Sequence, residues 1–175
     1  QVTPEQLNEA AFKRASVLNV CSGTMFDPTA LATTRAAVDM AKDKGAIIAI
    51  DANIRPLRWS SEEFCRDTIT SFFEDADILK LTDEELFFLT ETDTLEAGLA
   101  KLDELLVPII LITVGAEGAY AVLNGEVTHV PVEKVIPVDT TGAGDAFMAG
   151  VLRYVHFNGL PTVTEDLVKC VAFGN

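Results

Sequence analysis

The sequence predicts a three-layer α/β domain: a mostly parallel sheet, helices on both of its faces, and a β-hairpin toward the C-terminus. Three observations lead there. Short apolar, β-branched runs alternate with amphipathic stretches from Val17 to Val114, the pattern of strands buried on both sides and joined by crossover helices. The alternation then gives way to two strand-like runs meeting at Asn124-Gly125, a dipeptide suited to a type I′ turn. Finally, Gly142-Ala143-Gly144 turns an extended stretch, 135–138, into a helix. With 175 residues, 49% of them apolar, the chain can enclose one sizeable core.

The elements follow in order. A helix is expected over Pro4–Arg14 and a strand over Val17–Cys21. Asp27-Pro28 supplies an N-cap and a first-turn proline for a helix that runs to Lys44 and stops at Gly45. A strand over Ala46–Asp51 precedes a helix from Ser61 to Asp75, whose inner face is Phe64, Cys65, Thr68, Ile69 and Phe72. Next come a strand over Asp77–Leu81, two short helices over Asp83–Leu89 and Leu95–Leu106, and a strand over Ile109–Val114. The hairpin pairs Ala119–Leu123 with Val127–Val132. Two helices close the chain, Ala143–Phe157 and one from Val163 to the end. In such a sheet, ligands bind beyond the carboxyl ends of the strands. The polar clusters at those ends are Ser22-Gly23-Thr24, Asp51 to Arg55, Thr82 to Glu85 and Thr113 to Gly118.

Composition excludes several function classes. A formal charge of −14 argues against nucleic acid or an anionic membrane surface as partner. No apolar run is long enough to span a bilayer, and no signal peptide is visible. The three cysteines, Cys21, Cys65 and Cys170, lack metal-ligand spacing and are expected to be buried small hydrophobes. Scattered thiols in odd number fit a reducing, cytoplasmic setting. His129 and His156 belong to no catalytic motif and are expected to be structural.

The chemistry concentrates around Gly142-Ala143-Gly144-Asp145. Glycines let the backbone approach a ligand, and the helix start adds unpaired N–H groups and partial positive charge. An anion such as phosphate fits there. Asp145 sets a carboxylate beside it, suited to accept a hydroxyl proton. Neither Gly-x-x-x-x-Gly-Lys-Ser/Thr nor the dinucleotide fingerprint Gly-x-Gly-x-x-Gly occurs; Phe147 stands where the latter needs its third glycine. Asn53 offers an amide to phosphate or hydroxyl, and Arg55 a guanidinium fork suited to phosphate or carboxylate. Thr82-Asp83-Glu84-Glu85 is a capping box. Thr113, Gly115 and Gly118 form a glycine loop after a strand.

The run Asp139 to Leu152 resembles the C-terminal signature of the ribokinase-like (PfkB) carbohydrate kinases, and the resemblance extends over essentially the whole chain. Asp51 to Trp59, Asp-x-Asn-x-Arg-Pro-x-x-Trp, is similar to the fructokinase and 2-keto-3-deoxygluconate kinase branches, with Trp59 a packing residue. The resemblance implies a Rossmann-like ribokinase fold, ATP and Mg²⁺, and transfer of a phosphoryl group to a sugar hydroxyl, fructose first and 2-keto-3-deoxygluconate as the alternative. A catalytically idle sugar- or nucleotide-binding regulator is the alternative from another class. It implies Asp145 as base, Gly142, Ala143 and Gly144 as the anion cradle, and Asn53 and Arg55 on the substrate or phosphate side. Thr82, Thr113, Gly115, Gly118 and Asn175 would serve the nucleotide. Glu85 would organise Mg²⁺ through water; Thr82 replaces the Asn usual there. Asp139 and Thr141 match positions that hold a monovalent cation such as K⁺ in some members. Against the family, residues 1–175 correspond to the central and C-terminal part of one kinase domain. The N-terminal strands and the lid, often the homodimer contact, would lie outside them.

Overall fold

The computed structural model describes residues 1–175 except Leu105, Lys134, Val135, Pro137 and Val138, and the side chain of Asp103. The expected extended stretch 135–138 therefore lies outside the described residues. A 3₁₀ turn at Pro4–Gln6 precedes α1 (Glu9–Phe12), and the sheet begins with β1 (Val17–Cys21). There follow α2 (Pro28–Asp43), β2 (Ile47–Asp51), α3 (Glu62–Thr70), β3 (Ile78–Thr82), α4 (Asp83–Thr90), α5 (Leu95–Asp103) and β4 (Ile109–Thr113). The hairpin strands are β5 (Ala119–Leu123) and β6 (Glu126–Val130), and the chain closes with α6 (Ala143–Asn158) and α7 (Thr164–Gly174).

All six strands form one sheet in sequence order, β1-β2-β3-β4-β5-β6. The first four pair in parallel; β5 and β6 run antiparallel. Stepping one way through parallel neighbours with right-handed crossovers sends every connecting helix to the same face. Accordingly α2, α3, α4 and α5 bury Val38, Ile69, Leu86 and Leu102 against Ile48, Ile50, Leu79, Leu81 and Ile112. The opposite face is covered by α6 and α7, whose Phe147, Met148, Val151 and Leu167 meet Ala49, Ile78, Leu111 and Ala121. Strand alternation divides each run between the two cores. Each fully buried Ile, Leu or Phe contributes about 1.5–3 kcal/mol.

Local chemistry explains most boundaries. Asp27 Oδ1 accepts hydrogen bonds from the N–H groups of Thr29 and Ala30 and starts α2, and Gly45 leaves that helix at φ +75°. Asn124 and Gly125 both have positive φ, 50° and 82°, as a type I′ turn requires.

Two helices are shorter than periodicity suggests. The expected Pro4–Arg14 helix is broken because Asn8 takes up an extended backbone and caps Ala10, restarting the chain as α1. The helix expected to reach Asp75 ends at Thr70, where Thr70 Oγ1 and Ser71 Oγ donate back to the carbonyls of Arg66 and Thr68. The remaining residues form a separate 3₁₀ turn, Phe73–Asp75.

Cys65 and Cys170 are buried, as expected, but Cys21 is exposed. It ends β1, which pairs only with β2, so no strand of the described residues flanks its other side.

Candidate active site

α6 opens without a side-chain cap. Gly142 occupies the N-cap position in the left-handed region, φ 79°, a conformation that favours glycine. The N–H of Ala143 donates to Thr140 O at 3.1 Å, and that of Ala146 to Gly142 O at 2.8 Å. Because no side chain serves the first turn, the N–H groups of Gly144 and Asp145 and the partial charge there are available to an anion. Asp145 lies in this turn and is exposed. Just upstream, Asp139 Oδ1 accepts the Thr141 N–H at 2.8 Å in an Asx turn, and that bond holds the Asp139 carboxyl below its usual range.

The start of α6 borders a cleft of about 360 Å³ at the carboxyl edge of the sheet. Thr82, Thr113, Gly115, Gly118, Ala143, Gly144 and Asn175 all line it, so residues from four separate stretches of sequence converge. Register explains part of this: β3 and β4 pair so that Thr82 stands beside Thr113. Gly118, at φ 101°, must be glycine, since a Cβ there would lie 2.2 Å from Val130 O. Asn175 Nδ2 reaches the Val130 and Pro131 carbonyls only at 3.4 and 3.5 Å, long bonds that leave its amide weakly held. A larger cavity, about 450 Å³, sits beside the amino end of β4 among Leu99, Val107, Ile110, Val122 and Val127. None of its lining residues is ionisable, so it offers no comparable chemistry.

Glu85 has two structural partners. Its Oε2 accepts the Thr82 N–H at 2.9 Å while Thr82 Oγ1 accepts the Glu85 N–H at 3.1 Å, the reciprocal capping box. Oε1 accepts the Ile54 N–H at 2.7 Å and so ties α4 to the loop after β2. That loop carries Asn53, held at φ 37°, with its Nδ2 3.6 Å from Cys21 Sγ. Arg55 is exposed. Arg58 lies over the Phe26 ring, 5.8 Å from its centroid, and donates to Gly23 O at 3.5 Å. Trp59 is buried edge-on between Phe26 and Phe64, a packing residue as expected. Asn53, Arg55, Glu85, Asp139, Thr141, Gly142 and Asp145 are outside the cleft lining. His129 binds Glu117 O and His156 binds Ser16 Oγ, and neither histidine lines the cleft.

One pair escaped the sequence reading. Lys80 also lines the cleft, and its Nζ donates to Asp51 Oδ1 at 3.0 Å, with both side chains 5% exposed. Burial pushes the Asp51 carboxyl up, the Lys80 ammonium pulls it back, and the charges of Glu85 and Asp145 push it further up. The available signal was a lysine inside an apolar strand, Ile78-Leu79-Lys80-Leu81.

A glycine-turned, uncapped helix start over a cleft at the carboxyl edge of a parallel sheet is an arrangement of α/β proteins suited to an anion such as phosphate. Residues 1–175 match the pfkB family carbohydrate kinases throughout, and the chain belongs to that family. It is 38% identical over 159 residues to a fructokinase of Klebsiella pneumoniae, covering 90% of this chain and 51% of the relative. The crystal structure of a Vibrio cholerae O395 fructokinase, in a form with fructose, ADP and calcium ion bound, superposes with a TM-score of 0.92. It shares 29% identity over 99% of this chain and 56% of that one. A fructokinase of Xylella fastidiosa with bound ATP gives a TM-score of 0.89 at 25% identity, over 99% of this chain and 57% of that one. The chain thus spans about half the length of the curated fructokinase from Klebsiella.

Proposed function

We propose that the protein transfers the γ-phosphoryl group of ATP to a primary hydroxyl of fructose, giving fructose 6-phosphate. The observation that carries this reading is Asp145 in the first turn of α6, directly after the uncapped Gly142-Ala143-Gly144 turn that borders the cleft. The fructokinases among its relatives support the choice of sugar. Asp145 accepts the hydroxyl proton as the bond to phosphorus forms. The N–H groups of Gly142, Gly144 and Asp145 stabilise charge on the transferred group, the chief task of the protein in phosphoryl transfer, while the Ala143 N–H holds the turn through Thr140 O. Thr113, Gly115, Gly118 and Asn175 hold the nucleotide, and Asn53 and Arg55 orient substrate or phosphate.

Glu85 suits a water-mediated Mg²⁺ site. Each of its oxygens accepts one backbone N–H, which fixes the carboxylate and leaves lone pairs for bound water. Glu85 would hold Mg²⁺ there through water, and the ion would supply charge neutralisation at the phosphates. Asp139 and Thr141 form the site assigned to a monovalent cation, the remaining carboxylate oxygen of Asp139 being its anionic donor. A homodimer and a cytoplasmic location complete the reading. Among the described residues no helix is long and apolar enough to cross a membrane.

The sugar can be argued further. 2-Keto-3-deoxygluconate carries a carboxylate that must be paired when buried, and a single guanidinium shared with phosphate serves it poorly. Arg58, the candidate second cation, is engaged with Phe26 and Gly23 O. A coupled ADP-release assay of the full-length protein should give a higher kcat/KM for fructose than for 2-keto-3-deoxygluconate. The reverse order would overturn the sugar assignment and leave the kinase reading standing.

A further inference from the structure

The Lys80–Asp51 pair is the one ion pair among the described residues with both side chains as little as 5% exposed. Stability alone is a poor reason for it. Removing two charges from water costs several kcal/mol each, and apolar replacements of such pairs are often neutral or stabilising. Its position is informative instead. Lys80 lies on the face of β3 that carries Ile78 toward α6, and Asp51 is its register partner at the end of β2. A Cβ on Gly144 would come 3.2 Å from Lys80 Nζ, so the ammonium rests directly against the turn that opens α6. Of its three N–H donors, one goes to Asp51, its single hydrogen-bond partner among the described residues. The charges around it are otherwise negative. Glu85 and Asp145 both act on Asp51, giving three carboxylates to one lysine where a polyphosphate must enter. Without Lys80 that end of the cleft would repel its own ligand.

We propose that Lys80, anchored by Asp51, is a positioning residue that holds the Gly142–Asp145 turn in place and supplies the positive charge beneath the phosphate end of the cleft. This rests on the phosphoryl-transfer reading above and deepens it. A side chain at position 144 would crowd the ammonium and make it give way by a few tenths of an ångström.

The test uses the full-length protein. Lys80→Met alone strands a buried carboxylate and risks misfolding, so the informative variant is Lys80→Met combined with Asp51→Asn, which removes both charges. Calorimetric titration with inorganic tripolyphosphate and with adenosine is read beside the melting temperature and the sugar-dependent kcat. The double variant should melt at or above the wild-type temperature and bind adenosine unchanged. It should bind tripolyphosphate about 10- to 100-fold more weakly, the range for loss of a charged partner. A well-folded double variant with wild-type tripolyphosphate affinity would overturn the proposal, and so would a wild-type protein that binds no tripolyphosphate. If the wild type binds it and phosphorylates no sugar, the kinase reading fails while the role of Lys80 is still decided by the affinity ratio.

Discussion

At the scale of single residues, Asp145 has the sharpest consequence. Asp145→Asn keeps the shape of the side chain and removes the proton acceptor. The kcat of the full-length enzyme should fall about 10²–10⁴-fold, the usual cost of losing a general base, with the melting temperature nearly unchanged. Near-normal turnover would remove Asp145 from that role. This residue was legible because its meaning lies in four consecutive letters: the glycines bend the chain and the carboxylate follows at once. Lys80 was not, because its meaning depends on Asp51, 29 residues away, and on a register that no local pattern encodes. Glu85 lies between these cases. Its capping box with Thr82 is a local pattern, whereas its bond to the Ile54 N–H, 31 residues distant, needs the fold.

Elements were legible wherever a cap or a turn residue marks them. Asp27-Pro28 fixes a boundary by side-chain capping and a first-turn proline, and Gly45 and Asn124-Gly125 do so through positive-φ conformations that few other residues adopt. Periodicity alone overran, as at Asn8 and Ser71, where a short polar side chain bonds its own backbone and stops the helix. Helix-on-helix contact was hidden altogether. α6 and α7 meet so closely at Gly150 that an added Cβ would lie 2.7 Å from the Gly174 Cα and 3.0 Å from the Phe173 carbonyl. Backbone atoms cannot swing aside as a side chain would, so overpacking outweighs the gain in helix propensity. Gly150→Ala should therefore lower stability by about 1–2 kcal/mol in urea unfolding. An unchanged or raised midpoint would show that the two helices can separate there at no cost.

Across the whole molecule, the thiols link burial to pH. Burial pushes Cys65 up to about 11 and Cys170 to about 12 from an ordinary value of 9.0. The folded state therefore keeps protons that the unfolded state releases. The stability from this source is complete below pH 9.0 and is lost as pH rises toward about 11 and 12. The melting temperature should fall between pH 8.5 and 10.5, and by less in a Cys170→Ala variant; equal falls would remove the thiol from the account. At neutral pH only Cys21 of the three should react with a thiol reagent until the chain is unfolded.

The single tryptophan has a different use. Trp59 is 9% exposed and closes the segment from Asp51 that carries Asn53 and Arg55, wedged between Phe26 and Phe64. Residues 1–175 hold no second indole, so their ultraviolet emission excited at the indole band reports on this one loop. Residues 1–175 thus carry an optical gauge of the loop proposed to face the substrate, and a titration of this segment can be followed there without attaching a dye.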